Sequence, residues 1–518
     1  MPYDYRPFPY VAPPGLNGPE PRHKVIIVGA GPVGLALAID LANHGVPSVV
    51  LDDNNVVSVG SRAICWSKRS LEILDRLGVG EQAVTKGVTW KVGRTFHRDA
   101  EVFNFDLLPE AGHKMPAFVN LQQYYVEEYL VARAQALPLI DLRFKNKVVG
   151  VAQHGSHASV TVETPDGSYA LEAEWVVACD GARSPLRGML GLDFDGELFE
   201  ERFLIADIEM QRDGVPERWF WFEPEFHAGQ SALLHKQPDN IYRIDLQLGW
   251  DANPEAERQP ERVIPRIAKV VGHADFRLDW VSVYTFQCRR LTRFVEDRVI
   301  FIGDAAHVVS PFGARGGNGG LQDVDALGWR LAAVVLGSAP PDALAAFDRE
   351  RCFGADENIL NSARSTRFMS PEPGVERLFR DAVLDLAGRA DFARPMVNSG
   401  RLSRPCVYPM PDAPDVAALP AASRPGAVAP DAPLGNGWLC EALGRGFVLL
   451  GCGVDVPKVA GTTPLRVVGG AEIRARYLGD AAGAVYLVRP DQVVAARWLA
   501  PAAAEVAATL RAVQEGRL

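Results

Sequence analysis

The sequence has no long apolar run, no excess of basic residues and no paired cysteines, and each absence excludes a class of protein. No stretch of the 518 residues is long and apolar enough to cross a membrane. Lys and Arg total 54 against 64 Asp and Glu, and the net charge of -10 disfavours nucleic-acid binding. The seven cysteines form no C-x-x-C, which argues against a disulfide framework and a zinc site. We therefore expect a soluble, acidic, metal-free protein of the reduced cytoplasm.

The chain is too long for a single core, and its composition changes mark the expected units. A hydrophobic content of 47% is ordinary for a globular chain of two or three domains. The first residues are rich in Pro and Tyr and lack the apolar core of a signal peptide, so they predict a surface arm. The predicted units are the arm 1–22, an α/β domain 23–395 with insertions at about 90–120 and 195–290, a Pro/Ala-rich linker 396–425 and a final domain 426–518.

The segment VIIVGAGPVGLALAIDL near the start predicts a dinucleotide-binding turn. Val25 to Val28 are typical of a buried parallel strand, and Leu35 to Ala42 of a helix. Between them, Gly29, Gly31 and Gly34 form G-x-G-x-x-G. The first glycine permits the tight turn, the second lets the backbone approach phosphates, and the third lets helix and strand pack closely. The helix N-terminus would then face a pyrophosphate.

An acid follows at the spacing that this turn requires. Ser48 to Leu51 predict a second strand, and Asp52 stands at its end, where an acid holds a ribose hydroxyl. No cationic pocket for a 2′-phosphate is evident nearby. The acid therefore suits an adenosine with a free 2′-hydroxyl, as in FAD or NAD.

Two later segments, WVVACDGARSPLRGMLG and RVIFIGDAAHVVSPFGARGGNGG, complete a set of three motifs. In this order they resemble the FAD-dependent aromatic hydroxylases, the single-component class A that includes para-hydroxybenzoate, phenol and 3-(3-hydroxyphenyl)propionate hydroxylases. The resemblance covers nearly everything after residue 22. It implies an α/β fold: a Rossmann-like FAD-binding domain of the para-hydroxybenzoate hydroxylase type, an inserted antiparallel-sheet substrate domain and a thioredoxin-like C-terminal domain.

The resemblance also assigns flavin-site residues. Asp180 and Gly181 of the DG motif would serve FAD and the passing nicotinamide nucleotide, and Asp304, after Gly303 in the GD motif, would bond the ribityl chain. Pro311 and the loop after it would border the isoalloxazine, ahead of a helix predicted from Gly320 to Leu336. Further flavin-site expectations are Gly316, Gly317 and Asn318 in that loop, Arg62 near the phosphates, Gln123 near the ring with Gln122 as a competitor, and Arg243 near the flavin, with a surface-paired arginine as the alternative.

The implied activity is FAD-dependent hydroxylation of a phenolic acid or substituted phenol, with NADPH or NADH and O2, through a flavin C4a-hydroperoxide. The expected partners are therefore a small aromatic substrate, NAD(P)H and O2, without nucleic acid; a homodimer stays open. A polycyclic phenol, as in polyketide hydroxylases, is the alternative substrate. A flavin oxidase or dehydrogenase without oxygen insertion, and an inactive flavoprotein, also stay open. A flavin halogenase is disfavoured because the sequence has no W-x-W-x-I-P segment.

Candidates for the catalytic pocket come from aromatic strands between residues 202 and 283, which predict an antiparallel sheet with one covered face. His235 and Gln237 alternate onto one face of a strand, and Trp219 and Trp221 onto one face of another. Core packing is the alternative for each pair. Tyr284 is a further phenol partner, although strand tyrosines are common. The catalytic candidates are His235, Gln237, Tyr284 and Pro311.

Two residues of the third motif have two interpretations each. His307, beside the GD motif, is a candidate for chemistry, but loop support is the expected role because the family's hydroxylation uses no histidine nucleophile there. Arg315 stands where many relatives carry Gln. It would either attract a substrate carboxylate or tie down its loop.

Overall fold

The computed structural model describes residues 3–211, 216–249, 251–311, 313–397 and 404–518; the side chains of 197–201 are not described. Parts of the predicted arm, substrate insertion and linker, namely residues 1–2, 212–215, 250 and 398–403, lie outside the described residues, as does Phe312 of the third motif. Within the described ranges, no helix has the length and apolar character needed to span a bilayer. The same residues contain no group of three His, Cys, Asp or Glu side chains suited to a metal ion.

The first part of the chain builds a largely parallel sheet. Val25, Ile26 and Ile27 are fully buried because helices or strands cover both faces of the strand that carries them. The elements in order are β1 (His23–Val28), α1 (Pro32–Asn43), β2 (Ser48–Asp52), β3 (Cys65–Ser67), α2 (Lys68–Arg76), α3 (Gly80–Lys86), β4 (Val88–Trp90), β5 (Val92–His97), β6 (Ala100–Asp106), β7 (Phe118–Asn120), α4 (Gln123–Gln135), β8 (Ile140–Phe144), β9 (Lys147–Gln153), β10 (Ala158–Thr164), β11 (Gly167–Ala178) and α5 (Pro185–Met189).

The second part of the chain adds the strands of a second sheet and the edge of the first. The elements in order are β12 (Asp195–Glu209), β13 (Arg218–Phe222), β14 (Ser231–Lys236), β15 (Ile241–Leu248), α6 (Pro254–Glu257), α7 (Pro260–Val271), β16 (Arg277–Arg290), β17 (Val295–Glu296), β18 (Val299–Phe301) and β19 (His307–Val308). The first sheet has the main order β17-β18-β11-β1-β2-β8, and the second has the order β19-β16-β12-β15-β14-β13-β5-β6. The two sequence insertions therefore contribute to one sheet.

One strand pair of the second sheet departs from the predicted antiparallel arrangement. β13 and β5 run parallel, with Arg218 opposite Gly93 and Phe222 opposite His97. The reason is connectivity, because β5 enters from a distant part of the chain and not through a hairpin. A small sheet of β3, β7 and β4 lies beside this junction.

The two faces of the second sheet differ in chemistry. Trp219 and Trp221 lie on the face that packs in an apolar cluster with Ile244 of β15 and with Val263 and Ile267 of α7. Of the two interpretations of this tryptophan pair, core packing therefore applies, because strand alternation turns the pair away from the polar side chains. We call the opposite face, which carries Asp207, Arg218, His235, Arg243 and Asp245, the polar face.

The third part of the chain is helical and packs against the first sheet. Its elements are α8 (Gly316–Val335), α9 (Ala343–Met369), α10 (Val375–Ala387) and α11 (Arg394–Val397). α8 begins at Gly316, ahead of the predicted Gly320. A Cβ on Gly320 would lie 2.6 Å from Val33 Cγ2, so the glycine-rich turn of α8 allows its close packing against α1.

The last part of the chain forms a separate four-stranded sheet with the order β23-β22-β24-β25. Its thioredoxin-like assignment stays a prediction. Buried charges fix it to the first part, since Arg69 donates to Asp325 Oδ2 at 2.6 Å and to the Asp491 carbonyl at 2.6 Å. The elements are β20 (Pro433–Leu434), β21 (Gly437–Trp438), α12 (Leu439–Ala442), β22 (Val448–Cys452), β23 (Thr463–Val467), α13 (Ala471–Ile473), β24 (Ala484–Val488), β25 (Val494–Trp498) and α14 (Ala503–Gln514).

Candidate active site

The β1–α1 turn has the geometry of a phosphate cradle. Gly29 has φ 109°, and a Cβ there would lie 2.5 Å from the Cys179 carbonyl oxygen. A Cβ on Gly34 would lie 2.0 Å from the Gly29 carbonyl oxygen, whereas one on Gly31 would meet nothing within 4 Å. No side chain caps the N-terminus of α1. The first and third glycines thus allow the turn to close, and the second leaves open space where a pyrophosphate fits.

Asp52 lies at the carboxyl end of β2, next to this turn. Its Oδ2 accepts from the Ala30 amide at 2.6 Å, and its Oδ1 accepts from the Asn54 amide at 2.8 Å. Burial raises the pKa of Asp52 to about 6, although the two amide bonds lower it in part. Each carboxylate oxygen has a second lone pair, so the fixed group still has acceptor capacity for a ribose hydroxyl.

The DG loop joins the turn to the GD motif. Asp180 Oδ2 accepts from the Leu186 amide at 3.1 Å, while Asp180 Oδ1 is buried without a partner. Gly181 has φ 83° and open space around it. Arg187 donates to the Ala305 carbonyl at 3.2 Å and so binds the DG loop to the GD motif. These contacts bring the second and third motifs together.

A buried ion network lies below the GD motif. Asp323 accepts from the Gly303 amide at 2.9 Å and from Arg351 Nε at 2.6 Å, and its Oδ2 is 2.7 Å from His307 Nε2. Burial would raise the pKa of Asp323, but His307 and Arg351 hold it below its ordinary value. His307 is 1% exposed, which supports its interpretation as a loop support. Asp304, by contrast, is exposed.

The glycine-rich loop reaches from the GD motif to the polar face. Pro311 is exposed, and its carbonyl accepts from the Ala314 amide at 2.9 Å. The side-chain amide of Asn318 joins the start of α8 to β3, because it accepts from the Ser67 amide at 2.9 Å and donates to the Cys65 carbonyl at 2.8 Å. Its Nδ2 also donates to the Ala314 carbonyl, so the remaining capacity of this side chain is the second lone pair of Oδ1. Gly316 and Gly317 open the first turn of α8 beside it.

Arg243 is neither surface-paired nor free to reach a ligand. It is 6% exposed, donates to the Arg62 carbonyl at 2.7 Å and to Asp207 Oδ1 at 3.3 Å, and also bonds Ser61 Oγ. The alternative of a solvated surface arginine is wrong, since strand alternation buries this side chain. Arg62 itself has φ 44° and an exposed side chain. Because Arg243 bonds the Arg62 carbonyl, it holds the backbone from which the Arg62 side chain extends.

Both glutamines before α4 lie close to this segment. Gln123 accepts from the Ala63 amide at 3.2 Å and donates to Ser58 Oγ at 3.1 Å, so it bridges the loop that carries Arg62. Gln122 is fully buried, and neither atom of its amide has a partner. The choice between the two for a flavin contact therefore stays open.

The catalytic candidates occupy different environments. His235 lies on the polar face with Nδ1 3.9 Å from Cys65 Sγ; burial, Arg218 and Arg243 lower its pKa well below the ordinary value, so the imidazole is neutral. Gln237 lies just beyond β14 and donates to Asp207 Oδ1 at 3.2 Å. Tyr284 is 39% exposed on β16, opposite Phe203, and Pro311 belongs to the loop.

Sequence reasoning missed three charged residues on the polar face: Asp207, Arg218 and Asp245. The signal was present in RWFWF and IYRIDLQL, where the same alternation that turns Arg243 inward also turns Arg218 and Asp245 inward. In the sheet, Arg218 stands opposite His235, His235 opposite Arg243, and Arg243 opposite Asp207, in one cross-strand row.

The chain is similar in sequence to known flavoproteins. The sequence profile of the FAD binding domain matches residues 22–361. The chain is 28% identical to a 3-(3-hydroxy-phenyl)propionate/3-hydroxycinnamic acid hydroxylase of Mycolicibacterium smegmatis over 70% of this chain and 64% of the relative. It is 31% identical to a 12-dehydrotetracycline 5-monooxygenase/anhydrotetracycline 6-monooxygenase of Streptomyces rimosus, over 70% of this chain and 73% of the relative.

A solved structure supports the fold over almost the whole chain. The flavin-dependent monooxygenase PieE, in complex with FAD and substrate, superposes with a TM-score of 0.80 at 20% identity, covering 96% of this chain and 100% of that chain. At this identity the likeness concerns the fold alone. Because the profile covers more than half of the sequence and the relatives are hydroxylases, the chain belongs to the family of FAD-dependent class A aromatic hydroxylases.

Proposed function

We propose that the chain is an FAD-dependent monooxygenase that hydroxylates a phenolic aromatic substrate with NADPH or NADH and O2. In the balanced reaction, one oxygen atom converts a ring C–H into C–OH and the other leaves as water. The nicotinamide supplies a hydride and the solvent a proton. FAD, when bound, supplies the reaction with oxygen that no amino-acid side chain performs.

The observation that best supports this proposal is the junction between the three motifs and the polar face. The Cys65 carbonyl accepts from the side chain of Asn318 in the first turn of α8, and Cys65 Sγ lies 3.9 Å from Nδ1 of His235 in the second sheet. Arg243 of the sheet donates to the carbonyl of Arg62. The polar face thus lies next to the loops where FAD fits, which is the position a substrate needs beside a flavin.

The residues near this junction have separate expected roles. The glycine turn and the N-terminus of α1 would hold the pyrophosphate, Asp52 a ribose hydroxyl, and Asp304 the ribityl chain. The polar face would orient the substrate, and the apolar side chains around it would exclude water. Gly181 and its open surroundings would accommodate the passing nicotinamide nucleotide.

The test is incorporation of ¹⁸O2 into product during NAD(P)H oxidation by the FAD-loaded protein with simple phenols, phenolic acids and polycyclic phenols. We expect labelled oxygen in a product that forms only with protein and one class of phenol. NAD(P)H consumption that yields only hydrogen peroxide across the panel would contradict the hydroxylase and support an oxidase.

A polycyclic phenol is the second candidate substrate. It is favoured by the Streptomyces rimosus relative, which is named for tetracycline intermediates. In the same panel, labelling of a polycyclic phenol without labelling of any single-ring phenol would decide for this candidate.

A further inference from the structure

Two side chains of opposite charge on the polar face lack a contacting partner among the residues that the structure describes. Arg218 of β13 is 8% exposed, and Asp245 of β15 is half-buried. Within the described residues, neither forms a hydrogen bond or an ion pair, and Arg218 Nε and Asp245 Oδ1 are buried without partners. A buried charge without a contacting partner is costly, so two such groups on one face are candidates for contact with a ligand.

The contacts of the neighbouring polar groups explain why Arg218 and Asp245 have no ion-pair partner among the described residues. Arg243 is already bonded to Asp207, Ser61 and the Arg62 carbonyl. His235, which lies between Arg218 and Arg243 in the cross-strand row, is neutral. Arg218 is therefore the cation of this row that has no anion in hydrogen-bond or ion-pair contact within the described residues, and its interaction with Asp245 acts over a longer distance.

Asp245 lies in the next row, between Leu233 of β14 and Ile205 of β12. Arg218 and Asp245 are two strands apart, which separates their backbones by roughly 10 Å across the sheet. Half-buried Phe220 belongs to the same row as Leu233. The two charges thus stand at different points of a partly apolar surface, a spacing that suits the two ends of an aromatic acid.

We propose, on the basis of the proposed function, that the substrate is a phenolic acid whose carboxylate pairs with Arg218 and whose phenolic hydroxyl donates to Asp245. The proton passes from the phenolic oxygen to an Asp245 carboxylate oxygen, leaving a phenolate and a neutral carboxyl group. A phenolate ring is more nucleophilic at its ortho and para carbons, the positions that receive oxygen. Asp245 is thus assigned as the base, and Arg218 as the specificity-determining residue.

The electrostatics of the face agree with this assignment. Burial raises the pKa of Asp245 to about 6, with Arg243 and Arg218 opposing the rise and Asp207 adding to it. Asp245 therefore holds its charge at neutral pH yet is basic enough to accept a proton in a hydrogen-bonded pair. The titratable and charged groups around it are Arg243 on its own strand, Arg218 on β13, His235 on β14, Asp207 on β12 and Cys65 on β3.

The first experiment measures binding of 3-(3-hydroxyphenyl)propionate and its methyl ester to the FAD-loaded protein by the change in flavin absorbance. We expect the wild type to prefer the acid, and Arg218→Met to weaken acid binding about ten- to a hundredfold while changing ester binding less than about threefold. Arg218→Lys should recover part of the preference. Arg277→Met, at an exposed arginine of the same sheet, is the matched control and should change neither.

The second experiment measures turnover against pH. Asp245→Asn should leave acid binding within about threefold, lower kcat by about a hundredfold or more, and abolish the rise of kcat through pH 6. Asp279→Asn, at an exposed carboxylate on β16, is the control and should keep the wild-type profile. An Asp245→Asn enzyme with an unchanged pH profile and kcat would overturn the assignment of the base.

The two experiments separate this inference from the proposed function. A wild type that does not prefer the acid, or an Arg218→Met variant that weakens acid and ester equally, overturns the inference even if labelled product forms. Arg218-dependent preference for the acid without ¹⁸O incorporation into any product supports acid recognition but overturns the hydroxylase and the assignment of Asp245.

Discussion

The ion network below the GD motif and the polar face of the second sheet differ in whether their charged side chains have contacting partners. In the network, Arg351 donates to Asp323 and to Tyr408, and Asp323 also contacts His307. On the polar face, Arg218 and Asp245 form no hydrogen bond or ion pair within the part of the chain that the structure describes. The closed network holds the GD motif against α8 and α9. The open charges are available to a ligand, which is the difference expected between a scaffold and a binding surface.

The largest expected effect comes from opening the closed network. Arg351→Met would remove the guanidinium that pairs with buried Asp323, and we expect the free energy of unfolding to fall by about 3–5 kcal/mol. Urea unfolding of the apoprotein measures it. Arg389→Met, in a pair whose side chains are 74% and 62% exposed, should cost less than about 1 kcal/mol. Equal losses in the two variants would mean that the network adds nothing beyond a surface pair.

Two substitutions in the glycine turn after β1 should have smaller effects, one on protein stability and the other on FAD affinity. Gly34→Ala places a methyl group 2.0 Å from a carbonyl oxygen, so we expect a loss of about 1–3 kcal/mol in stability. Gly31→Ala meets open space, so stability should hold while FAD affinity falls by about tenfold, or about 1.4 kcal/mol, because the methyl group occupies the phosphate path. Urea unfolding and FAD titration of both variants test this. Full FAD affinity in Gly31→Ala would place the pyrophosphate elsewhere.

Removing an open charge should stabilise the free protein. The folded-state pKa of Asp245 is raised from 3.8 to about 6, so the folded chain holds this proton more tightly and loses stability as pH rises between these values. Asp245→Asn should be more stable than the wild type by about 1–2 kcal/mol at pH 7.5, with a smaller difference near pH 4. Thermal or urea unfolding at the two pH values measures it. A destabilised variant at pH 7.5 would show that the protein itself pairs this carboxylate.

The smallest effect is expected at Arg315. Its guanidinium donates to Asn358 Oδ1 of α9 at 3.2 Å, which favours the loop-tying interpretation over attraction of a substrate carboxylate. We expect Arg315→Gln to change KM for an acidic phenol and for its neutral ester alike, by less than about threefold. A selective rise of KM for the acid would instead make Arg315 the carboxylate site and weaken the case for Arg218.

Much of the cofactor part could be predicted because its signals are local in sequence. The turn after β1, the acid at the end of β2 and the two later motifs are each contained in a short segment. Boundaries were less accurate: α8 begins at Gly316 and not at the predicted Gly320, and the close approach of Gly320 to Val33 of α1 is a tertiary contact that the local sequence does not show. The parallel pairing of β13 with β5 could not be predicted, since it joins segments far apart in the chain.

For the candidate site, the sequence shows the residue types but not their hydrogen-bond and ion-pair partners. The sequence shows Arg243 and Arg218 as two arginines on aromatic strands, and nothing in the spacing distinguishes them. The fold gives Arg243 a carboxylate, a hydroxyl and a carbonyl, and gives Arg218 a neutral histidine as its cross-strand neighbour. The tryptophan pair kept two interpretations for the same reason, because alternation predicts that two residues share a face but not which element packs against that face.

The sequence by itself determined the family and the glycine turn after β1, because these depend on backbone conformations that neighbouring residues encode. Only the tertiary structure decided which charges are neutralised inside the protein and which remain for a ligand. The physical reason is that a buried charge is stabilised by groups within a few ångströms, and on the polar face those groups come from β3, β12, β13, β14 and β15, which the chain brings together only by folding.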